Sequence, residues 1–187
     1  DEIFFQDTVA SLSQRNNILE ILKNSASKVT VPITVAGGIR TLEDIYKVLR
    51  AGADKVAINT EAIKNIDFIK QASKRFGSQC IVASLEIKKN FNSFVPWYDY
   101  GREKSNKSLK DWCVKLLEAG IGEIFLSSVD KDGTGEGFDF SLVREVCNIS
   151  DVPIVVCSGA GEKKDVLDLL KNFKCDGVGI GSLFHYN

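Results

Sequence analysis

An internal repeat limits this chain more than any other feature. Pro32-Ile-Thr-Val-Ala-Gly-Gly returns as Pro153-Ile-Val-Val-Cys-Ser-Gly, 121 positions later. Glu2-Ile-Phe-Phe returns as Glu123-Ile-Phe-Leu at the same offset of 121, and Ala53-Asp-Lys-Val-Ala-Ile-Asn-Thr as Cys175-Asp-Gly-Val-Gly-Ile-Gly-Ser at 122. Three blocks in one order at nearly one spacing mean a duplicated half. The blocks belong to a set of seven short apolar runs, at 2–6, 33–35, 55–58, 81–85, 123–127, 154–157 and 177–180. Between them lie stripes with helical spacing: Leu42, Ile45, Val48 and Leu49; Leu109, Trp112, Val114, Leu116 and Leu117; Val166, Leu167, Leu169 and Leu170.

Short apolar strands that alternate with helices read as a parallel sheet covered by helices. Duplication selects a closed (β/α)8 TIM barrel made of two half-barrels over an open sheet. Two periods would run to roughly 240 residues, the usual size of such a barrel. The 187 residues are therefore expected to form a single incomplete barrel domain, 1–187, whose first β/α unit and last helix lie outside the chain.

Charge and cysteine content narrow the partners. A formal net charge of −1 does not favour nucleic acid or an anionic membrane surface. No run approaches the roughly 20 apolar residues that span a bilayer. The five cysteines are scattered without a CxxC pair, which reads as reduced thiols in a cytoplasmic protein. With His185 as the one histidine, no metal and no cofactor is expected.

In a β/α barrel the chemistry sits at the C-terminal strand ends. Here those ends carry Asp7, Gly37-Gly38, Asn59-Thr60, Glu86, Ser127-Ser128 with Asp130, Ser158-Gly159 with Gly161, and Gly181-Ser182. Glycines between strand and helix let backbone N–H groups face a phosphate without a side chain in the way. The duplication gives two such places on opposite rims: Gly37, Gly38, Asn59 and Thr60 on one, Gly159, Gly161, Gly181 and Ser182 on the other. A small substrate with a phosphate at each end would bridge them. Asp7, Glu86 and Asp130 are candidate catalytic carboxylates, because a carboxyl group between two phosphates is placed for acid–base work. Asp130 opens a glycine-rich loop whose Gly133 and Thr134 are candidate phosphate donors. The polar stretch 89–107, with Trp97, Tyr98 and Tyr100, reads as a lid or a small hairpin.

Ala51-Gly-Ala-Asp-Lys-Val-Ala-Ile-Asn-Thr, Phe76-Gly-Ser-Gln-Cys-Ile-Val and Ser128-Val-Asp-Lys-Asp-Gly-Thr resemble the cyclase-subunit family of imidazole glycerol phosphate synthase, along essentially the whole chain. The resemblance implies an ammonia-using lyase of histidine biosynthesis. Such a cyclase acts on a bis-phosphorylated ribonucleotide and is fed by a glutaminase (glutamine amidotransferase) subunit in a heterodimer. It implies phosphate contacts at Gly38, Asn59 and Thr60, and at Ser127, Gly133, Gly159, Gly181 and Ser182. It also implies an ammonia gate of charged residues, of which Glu2, Lys55 and Glu123 match three members. One departure is Glu86, which stands where the family pattern has an aspartate. That substitution is similar to paralogues from bacterial surface-polysaccharide clusters, which deliver ammonia to a sugar. Two further readings share the duplicated barrel: the isomerase of the same pathway, acting on phosphoribosyl-formimino aminoimidazole carboxamide ribotide, and a non-catalytic barrel that activates a glutaminase.

Overall fold

The computed structural model describes residues 1–7, 17–26 and 28–185. Seven strands pair in parallel, in sequence order. They are β1 (Ile3–Gln6), β2 (Ile33–Ala36), β3 (Lys55–Ile58), β4 (Ile81–Asn90), β7 (Glu123–Ser128), β8 (Ile154–Cys157) and β9 (Gly177–Gly179). Helices return the chain between them: α1 (Asn17–Ala26), α2 (Leu42–Arg50), α3 (Thr60–Lys64), α4 (Ile66–Phe76), α5 (Leu109–Glu118), α6 (Phe140–Cys147) and α7 (Lys163–Asn172), with α8 (Ser182–His185) after β9. This is a nearly closed (β/α)8-type barrel, with β1 and β9 as its two edges. Among the described residues no helix is long and apolar enough to cross a membrane.

Strand alternation sorts the side chains into two cores. Val35, Val56, Ile58, Ile81, Leu85, Ile124, Leu126 and Val156 face outward and pack under the helices with Ile45, Ile69, Trp112, Leu116 and Val146. Ala36, Ala57, Val82 and Phe125 face inward with Phe4, Val155 and Cys157. The rings of Phe4 and Phe125 stack across the axis, 3.9 Å between centroids and 13° from parallel. Small residues make room for them. A Cβ on Gly179 would come within 3.2 Å of the Phe125 ring. Each fully buried large side chain contributes roughly 1.5–3 kcal/mol, so the outer layer supplies most of the stability.

The duplication persists in the hydrogen bonds. Asp54 accepts from the Ile33 amide at 2.8 Å, and Asp176 accepts from the Ile154 amide at 2.9 Å. In return the Asp54 and Asp176 amides each donate to the carbonyl of the same partner at 2.8 Å. Thr41 and Asp44 form a capping box at α2, and Glu162 and Asp165 form one at α7. Such caps are worth about 1 kcal/mol each and fix where a helix begins.

One insertion breaks the symmetry. β4 runs ten residues, well past the rim, because its second half pairs with an antiparallel strand, β5 (Ser93–Tyr98). A short β6 (Glu103–Lys104) follows at the edge of β5. The stretch read as a lid or hairpin is this hairpin, and it folds back over the barrel mouth.

Candidate functional site

Two cavities open at the C-terminal strand ends, of about 580 and about 550 Å³. Gly37, Gly38, Asn59, Thr60, Ser84 and Tyr98 line the first. Ser127, Phe125, Asp132, Cys157 and Ser158 line the second. Gln6, Glu86 and Tyr100 line both. Glu86 is therefore the carboxylate shared by the two chambers among the described residues.

The local sequence explains that position. Val82, Ser84 and Glu86 alternate on the inward face of β4, so the strand ends its apolar stretch by presenting a carboxyl group to the mouth. Glu86 Oε2 accepts from the Gly101 amide at 2.7 Å. Burial pushes its pKa above the ordinary carboxyl range. The Gly101 and Asn59 hydrogen bonds work against burial, and the Asp99 and Asp132 charges add to it. A carboxyl group with a raised pKa keeps its proton to higher pH than an ordinary one and is the stronger base once ionised, which suits acid–base work.

The hairpin tip closes the first chamber from above. The Asn59 side-chain amide donates to the Trp97 carbonyl at 3.1 Å, and the Asp99 amide donates to Thr60 Oγ1 at 3.1 Å. Tyr100 Oη donates to the Asp7 carbonyl at 2.6 Å. Asp7 thus meets the mouth through its backbone carbonyl. A Cβ on Gly37 would sit 2.3 Å from that same oxygen, so this glycine is required by backbone packing as well as by any ligand.

The second chamber is built from hydroxyls and an aspartate. Ser127 Oγ and Ser158 Oγ lie 2.7 Å apart, and Ser158 Oγ donates to Asp132 at 3.0 Å. Asp132 replaces Asp130 as the carboxylate of this chamber. Asp130 accepts from the Lys89 amide at 2.7 Å and lines a separate cavity with Phe91 and Phe138. Gly161 also departs from expectation, because its amide donates to the Asp165 carboxylate in the α7 cap. Thr134 is exposed and bonds within its own loop, to the Lys131 carbonyl and the Glu136 amide. Gly133, Gly181 and Ser182 are exposed. Nothing within 4 Å would oppose a Cβ at Gly133 or Gly181. Gly159 turns at φ 108, with Gly137 packed on it. The side chain of His185 lies outside the described residues.

At the opposite end, Glu2, Lys55 and Glu123 meet. Lys55 Nζ lies 2.8 Å from Glu2 and 2.6 Å from Glu123. Thr34 Oγ1, itself buried, donates to the other oxygen of Glu2. Burial alone would lower the Lys55 pKa. The hydrogen bonds with Glu123 and Glu2 outweigh it and hold the ammonium above its ordinary value. The inward series on β7 is Glu123, Phe125 and Ser127, which links this collar to the mouth through the stacked rings.

Elsewhere the five cysteines are unpaired, and burial pushes the Cys113 thiol up to about 12, which makes it chemically inert.

The sequence is similar to those of known proteins along its whole length. Imidazole glycerol phosphate synthase subunit HisF of Lactococcus lactis subsp. cremoris is 41% identical over 188 residues, covering 100% of this chain and 73% of that protein. The subunit HisF of Sulfurisphaera tokodaii is 40% identical over 185 residues, covering 99% of the chain and 74% of its own length. That of Methanococcus maripaludis is 36% identical over 207 residues, covering 100% and 76%. The family model described as histidine biosynthesis protein matches residues 1–187. With a family match along its whole length and the same aspartate clasp in both halves of its barrel, the chain belongs to the histidine-biosynthesis protein family.

Proposed function

We propose that the chain is the cyclase of an imidazole glycerol phosphate synthase. In this reading a bis-phosphorylated ribonucleotide lies across the mouth and ammonia closes a ring on it. The observation that carries the reading is Glu86, a carboxyl group shared by two chambers that could each take one end of the substrate. One phosphate lies near Gly37, Gly38, Asn59 and Thr60. The other lies near Ser127, Ser158 and Gly159, with Gly181 and Ser182 behind them. Ammonia adds to a carbonyl carbon, loses a proton, and the former carbonyl oxygen leaves as water. The new nitrogen then bonds to the formimino carbon, whose C–N bond to the aminoimidazole carboxamide ribonucleotide breaks. That ribonucleotide leaves with a proton as the imidazole ring closes. Glu86 takes the proton from nitrogen and returns one to the departing oxygen, and Asp132 is the second group within reach of that chamber.

Ammonia enters from the other face. Glu2, Lys55 and Glu123 form a collar that is close to neutral once the lysine is paired. A neutral molecule as small as ammonia can pass where ions are held back. A glutaminase docked on that face is the partner this geometry suits.

The test is turnover of the bis-phosphorylated precursor by the full-length protein, with ammonium at alkaline pH as the nitrogen source. Imidazole product is expected from the native protein. Glu86→Gln should produce none. A native protein that yields no product with free ammonia would sink the cyclase reading. One observation favours a second acceptor: Glu86 is one methylene longer than the family's aspartate, a reach of roughly 1.5 Å. An aminated sugar appearing in the same assay, in place of imidazole, would identify the polysaccharide-type paralogue.

A further inference from the structure

Three successive residues at the hairpin tip adopt left-handed backbone: Asp99 at φ 52, Tyr100 at φ 58 and Gly101 at φ 68. Two of them carry side chains, and ordinary residues rarely hold this conformation unless surrounding contacts impose it. Three hydrogen bonds impose it here. Asp99 N–H is tied to Thr60, Gly101 N–H to Glu86, and the Tyr100 hydroxyl to the Asp7 carbonyl. The last of these reaches from the hairpin to the end of β1, on the far side of the first chamber.

We propose that Tyr100 is a positioning residue. Its hydroxyl, anchored on the Asp7 carbonyl, holds the left-handed turn so that the Gly101 amide stays on the Glu86 carboxylate. The inference rests on the reading of Glu86 as the acid–base group. Gly101 supplies an N–H at 2.7 Å that favours the ionised carboxylate and fixes one of its two oxygens. Asn59 gives the carboxylate a second hydrogen bond, and the remaining lone pairs are those a substrate would meet. Without the anchor the turn relaxes toward ordinary backbone, the amide leaves, and of the two hydrogen bonds that oppose burial at Glu86 only that of Asn59 is left.

Other titratable and charged groups also stand around Glu86. They are Asp99, Arg102, Glu103 and the Tyr98 phenol on the hairpin, Asp132 on the loop after β7, and Cys157 on β8; Arg40, Glu61 and Lys64 stand farther along the first chamber. Tyr100→Phe keeps the ring and removes only the hydroxyl.

The experiment uses the full-length protein labelled with 15N. The Gly101 amide shift is followed against pH, and its hydrogen exchange is measured. In the native protein the shift should titrate with Glu86, and Glu86→Gln should abolish that titration. In Tyr100→Phe, exchange at Gly101 should quicken about tenfold, the factor of one ordinary hydrogen bond. The titration midpoint should move to higher pH, and the matching limb of the ammonia-driven rate profile should move with it. Unchanged exchange and an unmoved midpoint in Tyr100→Phe would overturn the proposal, as would a lower rate without a shifted limb. If Glu86→Gln removes the titration yet keeps turnover, the acid–base reading fails while the positioning of Glu86 by Tyr100 still stands or falls on exchange alone.

Discussion

Gly37 and Ser158 occupy one position in the two halves of the barrel, 121 residues apart. Both have left-handed backbone, φ 102 and φ 76. In the first half a side chain is impossible without movement, because the Asp7 carbonyl fills the space. In the second half a serine is present, and its hydroxyl is held by Ser127 and Asp132. The same contrast runs through the whole mouth. The framework of the halves, with its aspartate clasps and capping boxes, is repeated bond for bond. What differs is set on the loops. The first half is roofed by a hairpin, the second by a glycine-rich loop. Duplication preserved the backbone that holds the strands in place and left the groups that meet a ligand free to diverge, as expected when loops carry function on a rigid scaffold.

Four substitutions probe that contrast, in falling order of effect. Glu86→Gln should lower ammonia-driven turnover by on the order of 10³-fold, the usual worth of a general acid–base group, measured by initial rates at saturating substrate. A change under about tenfold would leave the two chambers without a shared catalyst. The same variant should be the more stable protein at neutral pH. Burial raises the pKa of folded Glu86 above its unfolded value. Its contribution to stability is therefore complete below the ordinary carboxyl range and is lost as pH rises through the raised value. Glutamine has no such loss, so thermal unfolding should separate the two proteins at pH 7 and converge in acid.

Gly37→Ser puts the second half's residue into the first. It should cost about 2–4 kcal/mol through the clash with Asp7 and the strained φ, read from denaturant unfolding. A neutral result would mean that the two corners are interchangeable. Lys55→Ala leaves Glu2 and Glu123 facing each other and should cost about 1–3 kcal/mol. In a complex with the glutaminase it should depress glutamine-driven turnover more than ammonia-driven turnover; equal losses would make the collar purely structural. Ser158→Gly is the mildest. It relieves a left-handed serine but strips a hydrogen bond from Ser127 and Asp132, so stability should move by less than about 1 kcal/mol. Turnover should fall in spite of that.

Most of the framework was legible in the sequence, for a physical reason. Inward and outward faces alternate with period two, and the repeat supplied two readings of every barrel strand except β4. Glu86 and the collar of Glu2, Lys55 and Glu123 sit where strand ends and strand starts place them. The loops resisted. Asp130 and Asp132 are two positions apart in a turn without fixed period, and only the fold shows that Asp130 goes to the Lys89 amide. The Gly161 amide is held by its own helix cap, a local competitor that a glycine pattern does not reveal. Tyr100 was read only as part of a lid, because its partner Asp7 lies 93 residues away.

The inward series Glu123, Phe125 and Ser127 places collar, axis and mouth on a single strand. Such a strand cannot change length. Losing one residue of β7 would turn that series outward and bring Ile124, Leu126 and Ser128 to the interior, since a slip of one reverses both faces. The charged ring, the stacked rings and the substrate chamber would fail in one event. The far turn of the hairpin, where Phe91 is exposed, lies outside that series, and a change of length there would leave the inward faces as they are.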